Sequence, residues 1–151
     1  MKIKKYLISV IALFLSIIPI YPATYYVWTA SSYNGPGTNW TTAFRTIQQA
    51  IDTAATGDTV LVTNGVYETG GRTASIGSSL NRVVIEKKIT VQSVNGPEAT
   101  IIKGQGPIGS SAVRCVYISA GTLIGFTLTN GFSRDSGTDF YMDYTGGGLN
   151  A

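Results

Sequence analysis

Three short apolar runs in this chain end on the same asparagine-glycine pair, and they can be laid over one another. Asp58-Thr-Val-Leu-Val-Thr-Asn-Gly65 sits on Ile89-Thr-Val-Gln-Ser-Val-Asn-Gly96 at an offset of 31 residues, matching at Val60 and Val91 and at the terminal pair. Ile124-Gly-Phe-Thr-Leu-Thr-Asn-Gly131 extends the series at an offset of 35, with Phe126 opposite Val91. Upstream, residues 83–86 match residues 116–119 at an offset of 33, and the alignment puts two extra residues in the turn that follows. Self-similarity at this period marks a unit that cannot bury its apolar face alone; stacked units enclose a shared core and pair backbone groups from rung to rung. Asn-Gly suits the corners of such a coil because both residues tolerate positive φ. By itself it is equally a hairpin signal, so antiparallel pairing at these sites would contradict a solenoid.

The rest of the chain divides around that repeat. Residues 25–28 read as a short β segment and 31–39 as a loop rich in Ser, Asn, Gly and Pro. From 42 to 55 the period changes. Phe44, Ile47, Ile51 and Ala54 recur at three- and four-residue steps while Arg45, Gln48, Gln49 and Asp52 occupy other faces, which predicts one amphipathic helix. Thr41 or Thr42 is placed to cap its first turn, and Gly57 to close its end. Strand-like runs follow at 59–62, 83–85, 89–94, 100–102, 113–118 and 123–129, with no second helix of comparable quality.

At the N-terminus Lys2, Lys4 and Lys5 precede an apolar run from Leu7 to Ile18, broken by Pro19 and followed by Pro22-Ala23-Thr24. This is the three-part layout of a secretory signal peptide. The run is shorter than the ~20 residues a membrane-spanning helix needs, so export with cleavage near Ala23 is expected, a retained anchor being the other reading. Removing the three lysines from 11 basic residues leaves eight, against eight acidic ones. The remaining Arg45, Arg72, Arg82, Lys103, Arg114 and Arg134 are scattered, which argues against a nucleic-acid surface, and Lys87-Lys88 reads as a solvated turn. A lone Cys115 makes no intramolecular disulfide and is expected in the core. With no histidine in the chain, histidine-based nucleophilic triads and the usual zinc sites are excluded from this stretch.

Tyr25-Tyr-Val-Trp28, the loop at Gly35 to Gly37, Thr42-Ala-Phe-Arg-Thr-Ile-Gln-Gln-Ala-Ile51, Gly57-Asp-Thr-Val-Leu-Val62 and Gly65-Val-Tyr-Glu68 together resemble the N-terminal entry of bacterial pectin-lyase-like, right-handed parallel β-helix proteins. Gly125-Phe-Thr-Leu-Thr-Asn-Gly131 and Gly146-Gly-Gly-Leu149 resemble rung motifs of the same group, and the likeness spans nearly all of the chain after Ala23. It implies an all-β fold, a right-handed parallel β-helix with one N-terminal amphipathic capping helix, in which Phe44, Ile47 and Ile51 form the covering face. The implied layout is a signal peptide at 1–23, a helix-bearing cap segment at 24–57, and the first rungs of a coil at 58–151 that continues beyond Ala151. The architecture hosts lyases, hydrolases and adhesins alike, so it says little about activity.

Two groups of residues bear on chemistry. Asp135, Asp139 and Asp143 are the only acidic grouping, and their spacing matches no calcium loop; they read as solvated loop charges, with Arg134 beside Asp135. Tyr33, Trp40, Tyr141 and Tyr144 lie in loop-like segments where exposed rings stack on sugar faces or seal solenoid ends. Asn39-Trp-Thr41 is formally a glycosylation sequon. No catalytic, metal or cofactor residue is assigned. The expected function is a non-catalytic extracellular or cell-surface protein that presents loops to a polysaccharide or other glycan partner. The alternative is a polysaccharide lyase or glycoside hydrolase whose active-site rungs lie beyond residue 151.

Overall fold

The computed structural model describes residues 21–135 and, for backbone pairing, 149–150. Residues 1–20, Asp139, Asp143, Tyr141, Tyr144 and the glycines at 146–148 lie outside the described residues. Chain order is β1 (Thr24–Val27), a 3-10 turn (Trp40–Thr42), α1 (Ile47–Thr53), β2 (Thr59–Val62), β3 (Gly65–Tyr67), β4 (Arg72–Thr73), β5 (Leu80–Ser93), β6 (Thr100–Lys103), β7 (Val113–Ile124), β8 (Thr127–Thr129) and β9 (Leu149–Asn150). Apart from β4, which pairs antiparallel with β5, these strands form a parallel β-solenoid of about three turns. Asn64 and Asn95 stand at corners between strands of parallel ladders, not in hairpins.

Three parallel ladders run along the coil. The first stacks β1, β2, the end of β5 and the end of β7, with Tyr25, Val60, Val91 and Leu123 in one column. The second stacks β3, β6 and β8, with Tyr67, Ile102 and Leu128 aligned. The third pairs the early halves of β5 and β7, with Val83 on Val116 and Ile85 on Ile118, and continues to β9. Period-two alternation sends one column of each ladder inward. Val27, Val60, Val62, Val83, Ile85, Val91, Ile102 and Val116 therefore share one core, and Cys115 is buried in the same cluster although alternation gives it the opposite parity to Val116.

The offsets of 31 and 33 residues are the observed registers, since Val60 pairs with Val91 and Val83 with Val116. The offset of 35 is not. Val91 pairs with Leu123 and Gln92 with Ile124, an offset of 32. The last rung is shorter at two corners. Between the paired positions Glu86↔Ala120 and Thr90↔Thr122 it uses Gly121 alone where the rung before uses Lys87, Lys88 and Ile89. It then reaches β8 with only Gly125 and Phe126 between. Asn130 consequently lies after the second ladder, beyond the Lys103↔Thr129 pair, whereas Asn64 and Asn95 lie before it. At their shared corner the Asn95 amide donates to the Asn64 carbonyl oxygen at 2.7 Å.

The helix is shorter than the pattern predicts. Phe44 is extended and bridges to Val27, so its apolar side chain reaches the core from a strand-like segment and extends the helical period by coincidence. Thr46, rather than Thr41 or Thr42, is the N-cap, its hydroxyl accepting from Gln49 N. Trp40–Thr42 forms a separate turn capped by Asn39. The helix ends at Ala54, and Gly57 uses its φ of 96° in the turn into β2, where its amide donates to Lys88 O.

Ile47, Ala50, Ile51 and Ala54 pack into the core as the spacing requires. Gln48, placed on a polar face by the pattern, is buried: its Oε1 accepts from Val84 N at 2.7 Å and its Nε2 donates to Val84 O. The side-chain amide thus supplies the pairing that a neighbouring strand would have given β5. Lys87 is no solvated turn either. Its ammonium donates to Ile51 O, Asp52 O and Ala54 O, satisfying carbonyls at the negative end of α1. Buried Asp58 binds Ala23 N and Ala55 N. The outer edge of β1 is covered in the same way, with Tyr26 N donating to Gly37 O, Phe44 N to Tyr26 O and Trp28 N to Phe44 O.

Candidate functional site

Alternation along the first ladder fixes what faces outward. Tyr25 and Val27 point into the coil, so Tyr26 and, one step past the strand, Trp28 point out. The same parity turns Leu61, Gln92 and Ile124 outward in register with Tyr26, and Thr59, Thr90 and Thr122 in register with Thr24. Amide bonds from Thr63 to Val27 O and from Val94 to Val62 O carry the stacking one residue further, placing Trp28, Thr63 and Val94 at one corner. None of these side chains bears a charge at neutral pH.

A cleft of about 420 Å³ opens at that corner, lined by Trp28, Trp40, Thr63 and Val94. Trp40 arrives from the 3-10 turn, which Asn39 holds by accepting from both the amide and the hydroxyl of Thr42. Its ring packs edge-on against Tyr26, with centroids 4.7 Å apart and planes at 71°. Trp28 is held from behind by its amide bond to Phe44 O at 2.8 Å. Both indoles stay open to solvent, Trp28 at 40% and Trp40 at 38%. Two fixed aromatic surfaces, each with one N–H donor, beside a hydroxyl and an apolar methyl pair suit a ligand with apolar faces and hydroxyl edges.

Of the rings singled out in the sequence, Trp40 lines this cleft. Tyr33 is exposed in its loop, resting against Gly35, and does not line it. Trp28, absent from that group, is the missed residue, although inward Tyr25 and Val27 already imply its direction. Asp135 is exposed, and among the described residues no group of three potential metal-ligating side chains occurs. Cys115 is buried, its thiol donating to Thr129 O, and desolvation raises its pKa. Among the described residues no helix is long and apolar enough to cross a membrane. No family model matches the chain, and neither a curated protein nor a solved structure matches it.

Proposed function

We propose that this is an exported, cell-surface or secreted β-solenoid that binds neutral glycan through the Trp28–Trp40 cleft and the uncharged face beside it. The observation that carries the reading is the pairing of two half-open indoles, on a backbone locked by rung stacking, in a cleft whose lining has no ionisable group. Such a lining recognises but has nothing with which to donate or abstract a proton, so the role is binding rather than bond cleavage. Export is supported by the basic, apolar and proline-broken layout of the first 23 residues. The parallel coil and the motifs from Tyr25 to Glu68 support kinship with pectin-lyase-like surface proteins.

The test is retention of the secreted protein on insoluble neutral polysaccharides and on polygalacturonate, with the start of the mature chain read by mass spectrometry. A Trp28→Ala/Trp40→Ala double variant is expected to lose at least tenfold in affinity for a neutral polymer, about 1.4 kcal/mol. Undiminished binding by the double variant would remove the cleft from the function. Retention of the leader would remove export with cleavage.

A further inference from the structure

A second concavity, of about 350 Å³, lies at another corner of the coil, where the second ladder ends. Its residues come from three successive rungs. Glu68 and Lys103 follow the paired Tyr67 and Ile102 on adjacent rungs, and Asn130 follows Thr129, the partner of Lys103. Lys103 Nζ donates to Glu68 Oε2 at 2.8 Å. Phe132 forms an apolar wall, its ring lying so close to Gly106 that a Cβ there would meet ring carbons at 2.6 Å. Gln105 adds an exposed amide on a segment held by two backbone bonds to Val113. Asn130 holds φ of 53°, one of the few residue types besides glycine that adopts it readily.

We infer that this groove is a second saccharide site, independent of the tryptophan cleft, which takes an uncharged sugar ring stacked on Phe132. The volume falls within the usual range of small-ligand pockets. The chemistry of the polar groups selects the ligand class. Glu68 and Lys103 neutralise one another, and the Lys103 hydrogen bond and charge hold the Glu68 carboxyl below its ordinary range, so the pair persists into mild acid. A charged ligand that pairs with one of these groups meets the opposite charge of its partner beside it. A hydroxyl meets no such conflict, because it donates to the free lone pairs of Glu68 while accepting from Lys103. Gln105 and Asn130 likewise offer a donor and an acceptor each, which matches adjacent hydroxyls on a ring whose other surface is apolar.

Because the chain has two tryptophans, the two sites report separately in NMR spectra of the full protein. Indole N–H signals follow the first cleft, and side-chain amide signals of Gln105 and Asn130 follow the groove. Titration with methyl glycosides of neutral hexoses is expected to move the amide signals saturably. Phe132→Ala should weaken that response at least tenfold, and Glu68→Gln should weaken it less, while Trp40→Ala leaves it unchanged. Amides that stay still, that respond only to uronates or to a zwitterion such as glycine, or that respond equally in Phe132→Ala would overturn the proposal. The indole signals are read in the same samples, so failure of the groove and failure of the cleft are distinguishable.

Discussion

Replacing Ile85 with alanine is expected to lower the unfolding free energy by about 2–5 kcal/mol, the range for truncating a fully buried isoleucine. Ile85 has no solvent exposure, pairs with Ile118 on the next rung, and faces a core to which all three ladders contribute. Its Cγ2 also stands 3.0 Å from where a side chain on Gly121 would begin. Stacked rungs share one continuous core, so a hole in one rung removes contacts from its neighbours, and their paired backbones limit collapse into it. Urea titration should show the loss as a lower midpoint. Ile76→Ala, at a position 57% exposed, should fall within about 0.5 kcal/mol of the wild type.

Gln48→Leu is expected to have the second largest effect, although it replaces a polar residue of an amphipathic helix with an apolar one of similar size. The substitution strands Val84 N–H and weakens the surroundings of Val84 O, both inside the fold. A buried backbone group left without a partner costs about 1–3 kcal/mol. Gln49→Leu, one position along and exposed, supplies the comparison, because its side chain bonds only to the Thr46 hydroxyl at the surface. A clear gap between the two variants in thermal or urea unfolding would show that α1 is joined to β5 by hydrogen bonding as well as by Ile47 and Ile51. Equal, small effects would mean that Val84 finds water instead.

The contrast between Gln48 and Gln49 shows where the sequence is readable. Period and alternation place apolar residues well, because burial of Ile47, Ile51, Val60 and Val91 follows from spacing alone. They also carry the parallel coil and the two registers with unbroken alignment. Long polar side chains that reach the interior leave no such trace. Gln48 and Lys87 carry side chains that look solvent-facing, yet each meets backbone groups more than 30 positions away in the chain. The Asn-Gly series illustrates a different limit. Two of its members share a corner, but the third follows rungs shortened at Gly121 and before β8, and a motif match cannot register deletions that compensate along the chain. At the first cleft, Trp40 was legible as a loop aromatic, whereas its meeting with Trp28 depends on how residues 37–44 fold back along β1.

Both sites sit on a stack of parallel rungs, and a crosslink between neighbouring rungs reads that stacking directly. Neighbouring parallel strands lie about 4.8 Å apart, within reach of a disulfide. Gln92 and Ile124 are paired and both exposed, so Gln92→Cys/Ile124→Cys should close under mild oxidation in the monomer, with Cys115 left buried and free. Gln92→Cys/Thr127→Cys, the pair demanded by an offset of 35 residues, should stay reduced. Closure of the second pair, or of neither, would contradict the β5–β7 register of the parallel solenoid.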